Sequence, residues 1–197
     1  LSSAALDVYK RQGADAMVIE GMEAGGHIGK QTTMALMENV LPQIKSVPVL
    51  VAGGISDGRA LAAALLMGAA GVQMGSRFLL TEECPANPVA KEAIVKATDT
   101  DSVATGYSRN LGVRCLSNAF TDVYTAREIA GAPNEELMAM GTGTNRKGLV
   151  EGDVTNGTVM CGQSLNVLND ILPCKDVMER IIAEAKEAIA NVQKIEL

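Results

Sequence analysis

The sequence holds no tryptophan, two phenylalanines, three tyrosines and a single histidine in 197 residues. With aromatics at 3%, it offers no run of rings on which bases could stack. Lys and Arg number 17 against 23 Asp and Glu, so the net charge is −6. No basic stripe is present for a phosphate backbone, and no nucleic-acid partner is expected. The four cysteines, Cys84, Cys115, Cys161 and Cys174, form no C-x-x-C pair, and the histidine is not spaced to complete a zinc set with them. They read as reduced cytosolic thiols, with no metal site. The longest apolar stretch, ALAAALLMGAAGV (60–72), falls short of the roughly 18 residues a membrane span needs. No membrane partner and a cytoplasmic location are therefore expected. Residues 1–12, LSSAALDVYKRQ, show neither a helical nor a strand period and read as a non-native leader outside the fold.

What is present is a core-forming chain, 47% hydrophobic, with Gly in abundance. DAMVIEG (15–21), VPVLVAGG (47–54) and GVQMGSRF (71–78) read as short strands, and such near-continuous apolar runs suit parallel strands covered on both faces. Thr33 to Lys45 puts Leu36, Met37, Val40, Leu41 and Ile44 on one helical face, with a bend expected at Pro42. Ser56 is placed to cap a helix over Asp57–Met67, and Gly68 to stop it. The order strand, helix, strand, helix, strand is the parallel βα rhythm. After Phe78 it breaks. A capped helix is expected in 84–97, a strand at 102–106, and helices near Asp122–Ile129 and Asn134–Met140 in an otherwise irregular stretch. An amphipathic helix closes the chain, with Val177, Met178, Ile181, Ile182, Ala185, Ala188, Ile189 and Val192 on one face. Residues 13–83 thus form a parallel α/β part, 84–157 a small inserted α+β subdomain and 158–197 a C-terminal helical segment.

Each of the three strands ends in glycine, and ligands of parallel α/β folds gather at the C-terminal strand ends. Glycine exposes backbone N–H groups and lets a ligand approach. AGGI and MGS at successive strand ends make a phosphate cradle of the kind that (β/α)₈ barrels form after their last two strands. The strands then read as the sixth, seventh and eighth of such a barrel. Either motif alone is also a common turn. Lys30 and Arg77 read as solvated charges, Met22 and Met74 as packing, and Cys161 lacks a second histidine to activate it as a nucleophile. His27 differs from a packed core histidine because Gly25, Gly26 and Gly29 surround it at a strand's ligand-facing end. It suits a proton donor or acceptor, or a hydrogen-bond donor to a substrate carbonyl.

EGMEAGGHIGK, VPVLVAGGISDG, GVQMGSRF and EGDVTNGTVMCGQ, in that order, resemble the family of FMN-dependent enoyl-acyl-carrier-protein reductases and nitronate monooxygenases. Met22, Ile28 and the segment 102–118 look closer to the reductases. The resemblance covers residues 13 to about 163 and implies FMN at the mouth of a partial TIM (β/α)₈ barrel. Gly53 and Gly54 would hold the phosphate, with Gly75 and Ser76 completing the cradle. Gln73 and Met74 would line the same strand end, Glu20, Gly25 and Gly26 would lie beside the flavin, and His27 would be the catalytic histidine. NAD(P)H would be the co-substrate, and an enoyl thioester on acyl-carrier protein the substrate and partner; a homodimer is left open. The family's earlier strands supply further flavin contacts, so a chain without them is expected to be inactive. Two features depart from the family pattern: Cys161 stands where a small Ala is usual, and SLNVLND (164–170) replaces an apolar, Gly-containing stretch. Alternatives are nitronate oxidation by O₂ in the same fold, a flavin-free sugar-phosphate barrel, and a non-catalytic remnant.

Overall fold

The computed structural model describes residues 13–196. The leader expected at 1–12 lies outside these residues. Strands β1 (Met17–Glu20), β3 (Val49–Ala52) and β4 (Gly71–Gln73) form one parallel sheet in the order β1-β3-β4. Its register pairs Ile19 with Val51 and Val51 with Val72. Helix α1 (Thr33–Val40) joins β1 to β3, and α2 (Gly58–Leu66) joins β3 to β4. Met17, Ile19, Val49 and Val51 point toward these helices and pack with Leu36, Met37, Val40 and Ala64. Burying each such Ile or Val contributes about 1.5–3 kcal/mol.

The opposite face of the sheet is open among the described residues. Val18 is 38% exposed, and Glu20 and Gln73 are exposed as well. The apolar runs suggested cover on both faces; β1 alternates buried and exposed residues instead, because helices pack on one side only. The sheet does not close within the described residues.

Two helix boundaries also differ. Helix α1 ends at Val40 rather than bending through Pro42 to Lys45, since a proline has no N–H to continue the ladder. Helix α2 is capped by Asp57, whose carboxylate accepts from the Ala60 N–H at 2.9 Å, and not by Ser56. Gly68 does stop α2, in left-handed geometry, with Ala69 N–H reaching back to the Ala64 carbonyl.

A second sheet is antiparallel, in the order β2-β6-β5: β2 (Gly26–His27), β5 (Ser102–Thr105) and β6 (Val113–Leu116). Helices α4 (Pro88–Lys96), α5 (Ala119–Ile129), α6 (Asn134–Gly141) and α7 (Thr144–Leu149) belong to the same half of the molecule, after the short α3 (Ser76–Leu79). Neither β2 nor β6 carries a strand signal of its own; β2 is two residues long and exists because β6 pairs with it. A core of Leu80, Ile94, Leu116, Val159, Cys161, Leu165 and Leu168 ties this half to the residues that follow it.

The long α8 (Cys174–Val192) packs along α2 so closely that a Cβ on Gly58 would lie 2.1 Å from the Ile181 carbonyl oxygen. Val177, Ile181 and Ala185 are buried there. Met178, Ile182 and Val192, expected on the same buried face, are 42–48% exposed. Arg77 also departs from expectation. It is 1% exposed, bonded to Asp170 at 2.9 Å and to the Leu80 carbonyl, while Arg180 grips the same Asp170 from α8.

Candidate functional site

The C-terminal ends of β1, β3 and β4 open on one cavity of about 310 Å³. Glu20, Gly25, Gly53, Gly54, Gln73, Gly75 and Ser76 all line it. Gly53 and Gly54 have φ of +94° and +70°, a conformation that side chains rarely adopt. A Cβ on Gly53 would sit 2.7 Å from the Gly21 carbonyl, so the chain turns there against its neighbour. Gly75 is different: a Cβ there would meet no atom within 4 Å and would project into free space beside the cavity.

Among the described residues, the backbone N–H groups of Gly54, Ile55, Gly75 and Ser76 donate to no backbone or side-chain acceptor. Ser76 Oγ accepts from the Gly162 N–H at 2.9 Å, which leaves its own proton free to donate. Among the described residues, no lysine or arginine lines the cavity. An anion there would be held by backbone dipoles and hydroxyls, the donor set that suits a phosphate. The residues present therefore fit the phosphate end of FMN. Glu20 reaches the rim exposed, yet partial desolvation raises its carboxyl above the ordinary glutamate range.

Gly26, His27 and Met74 stand elsewhere. Met74 packs on the core behind the parallel sheet. Gly26 and His27 form β2, with His27 opposite Val113 and Gly26 opposite Arg114. His27 is exposed and lines a second cavity of about 290 Å³. Met160 lines both cavities, and a Cβ on Gly26 would lie 3.4 Å from its sulfur. His27 and the glycine cradle thus flank one methionine. A larger cleft, about 470 Å³ between Asp57 and α8, lacks any glycine floor.

Four residues that sequence reasoning passed over hold this arrangement. Glu23 accepts from the Thr33 N–H through both oxygens, at 3.0 and 2.9 Å. The Thr33 hydroxyl lies 2.8 Å from the Gly53 carbonyl, within donating distance. The Glu23 carbonyl accepts from the Gln163 N–H at 2.9 Å. Arg114, 4% exposed, donates to the Met22 carbonyl at 3.1 Å, and burial lowers its pKa. Ser164, in the divergent 164–170 segment, donates to the Gly54 carbonyl at 2.7 Å. Glu23 lay in plain view inside E-G-x-E-x-G-G-H; Thr33, Arg114 and Ser164 carry no sequence signal, because their partners are distant in the chain.

Burial pushes the Cys161 thiol up to about 12 and the Cys115 thiol up to about 11. Both stay protonated at neutral pH, which leaves neither as a nucleophile.

The fold and the cavity define an α/β protein with a glycine-lined cavity at the carboxyl ends of parallel strands. The family description of nitronate monooxygenase matches residues 2–184, so the chain belongs to that oxidoreductase family. The match begins within the stretch read as a leader. The structure of FabK from Thermotoga maritima superposes with a TM-score of 0.91 at 40% identity, over 98% of this chain and 61% of that one. A nitroalkane oxidase from Streptomyces ansochromogenes gives 0.79 at 25% identity, over 97% and 57%. A Mycobacterium tuberculosis protein named (3aS,4S,5R,7aS)-5-hydroxy-7a-methyl-1-oxo-octahydro-1H-indene-4-carboxyl-CoA dehydrogenase is 34% identical over 212 residues, 88% of this chain and 60% of that protein. The chain spans about 60% of the length of these relatives. No helix among the described residues is long and apolar enough to cross a membrane.

Proposed function

We propose that this chain carries the FMN cradle and catalytic histidine of a flavin-dependent oxidoreductase that reduces trans-2-enoyl thioesters with NAD(P)H in the cytoplasm. In this reading β1, β3 and β4 are the last three strands of a (β/α)₈ barrel, 84–157 is the inserted subdomain, and the activity belongs to the longer protein. The carrying observation is the cradle cavity itself, into which seven of the ten proposed site residues converge. The likeness to FabK, higher in both TM-score and identity than that to the nitroalkane oxidase, favours the reductase side.

When bound, FMN supplies hydride exchange between NAD(P)H and the β-carbon of the enoyl thioester. The chain's own groups do the rest. The N–H groups of Gly54, Ile55, Gly75 and Ser76 and the Ser76 hydroxyl hold the phosphate. Glu23 and Thr33 clamp the His27 loop onto the Gly53 turn. The His27 ring N–H polarises the thioester carbonyl or delivers the proton that the α-carbon gains. The sum is enoyl thioester, NAD(P)H and a proton giving acyl thioester and NAD(P)⁺.

The test is an anaerobic assay of the full-length protein: a flavin spectrum, then NADH oxidation with and without crotonyl-CoA. Bound flavin with thioester-dependent NADH consumption is the expected result. Bound flavin that ignores crotonyl-CoA and, in a parallel aerobic assay, oxidises alkyl nitronates with O₂ would favour the reading that the family name and the nitroalkane oxidase support.

A further inference from the structure

The cavity behind His27 is chemically unlike the cradle. Of its walls, Leu111, Val113, Phe120, Tyr124, Leu137 and Met138 are apolar or aromatic. Among the described residues, none that lines it is Lys, Arg, Asp or Glu. The whole chain has only two Phe and three Tyr, yet one of each meets here, rings 5.9 Å apart. Tyr124 and Leu137 are buried at 7% and 0% exposure, with Phe120 packed against them. His27 stands at this cavity, and Met160 is the wall it shares with the cradle.

Thr105, Thr142, Thr144, Asn145 and Thr158 also line this cavity, but most of its exposed wall is hydrocarbon, which a charged dinucleotide cannot use, and the flavin phosphate has its donors next door. An uncharged, flexible apolar group is the ligand such walls accept. We infer that this cavity takes the acyl chain of the thioester, and that Phe120, Tyr124 and Leu137 form the floor that sets the chain length accepted. The inference rests on the enoyl-thioester reading and adds to it where the hydrocarbon goes and what measures it. A group entering past His27 leaves its thioester carbonyl at the imidazole and its double bond on the Met160 side, toward the cradle. Specificity of this kind is modest, because each methylene buried or refused changes binding by about 1–3 kcal/mol.

An introduced indole provides the probe, read as the difference from the unsubstituted protein. In the full-length protein, Phe120→Trp places an indole at the floor and narrows it, while Phe120→Ala widens it. The ratio of kcat/KM for trans-2-decenoyl to crotonyl thioester is expected to fall about tenfold in the first and to rise in the second, the size of one or two methylenes. Decanoyl-pantetheine, a non-reacting probe, is expected to shift the emission added by Phe120→Trp saturably, and acetyl-pantetheine to leave it still. Met138→Trp, on a more exposed wall, gives the same readout if Phe120 variants fold poorly. Crotonyl turnover with an unmoved chain-length ratio and a silent indole would overturn the cavity assignment while leaving the reductase reading intact. A responsive indole without any turnover would retain the cavity and sink the reductase; silence in both would remove both.

Discussion

The cradle and the His27 cavity share one methionine and are built by opposite means. The cradle is local: three strands of one parallel sheet end in glycines, and the backbone itself supplies the binding groups. The His27 cavity is non-local: a two-residue strand pairs with residues more than eighty positions away, and side chains from β5, β6, α5 and α6 furnish the walls. Backbone sites tolerate change in surrounding side chains but not in their glycines. Side-chain sites behave the other way round, so in the proposed reading the second cavity is the seat of specificity and the first that of the cofactor.

The sharpest way to separate the two is His27→Ala in the full-length protein. Enoyl-thioester kcat/KM is expected to drop by about 10²–10⁴, the usual contribution of a positioned proton donor, with the flavin spectrum and affinity preserved. Loss of flavin together with activity would place His27 in the cofactor site and merge the two regions.

Asp170→Asn tests what both regions rest upon. It removes the charge opposite the buried Arg77, which keeps its bonds to the Leu80 and Asp170 carbonyls, and a loss of about 1.5–3 kcal/mol in denaturant unfolding is expected. The Arg180 and Arg77 guanidinium groups hold the Asp170 carboxyl below the ordinary aspartate range. Its ionic contribution is therefore complete above the unfolded pKa of 3.8 and disappears as pH falls through the lower folded value. The wild type should lose stability more steeply than the variant below that point; parallel acid curves would refute the pairing.

Gly75→Val probes the cradle alone. A Cβ there meets no atom of the protein within 4 Å, so melting without flavin should move little, while FMN affinity falls by at least about tenfold, or 1.4 kcal/mol. Unchanged FMN affinity would remove Gly75 from the phosphate site. The smallest effect concerns the thiols. Iodoacetamide at neutral pH should label the partly exposed Cys84 and Cys174 in the native protein and spare Cys115 and Cys161, as read by peptide mass. Rapid native labelling of Cys161 would show that the wall behind Gly25 opens.

Much of the parallel half was legible before any coordinates. β1, β3, β4, α2 and the stop at Gly68 follow from apolar period and glycine placement, both local properties. The helix end at Val40 and the Asp57 cap are not fixed by sequence, because a proline can bend a helix or end it and Ser56 is equally able to cap. Of the antiparallel half, the helices and the strand β5, expected at 102–106, were legible. β6 lies in a stretch that reads as polar and irregular, and its strand character comes from pairing with β5 and β2. Propensity has no access to such pairing.

By itself the sequence determined the strand–helix rhythm, the glycines at three strand ends and the oddity of one histidine among them, because periodicity and backbone freedom are properties of short stretches. Only the tertiary structure decided that His27 faces a separate apolar cavity, that Arg77 is buried on Asp170, and that Glu23 and Thr33 buckle one loop to the next. Each of those depends on which distant residue arrives alongside, and burial, charge pairing and cavity shape exist only once it has.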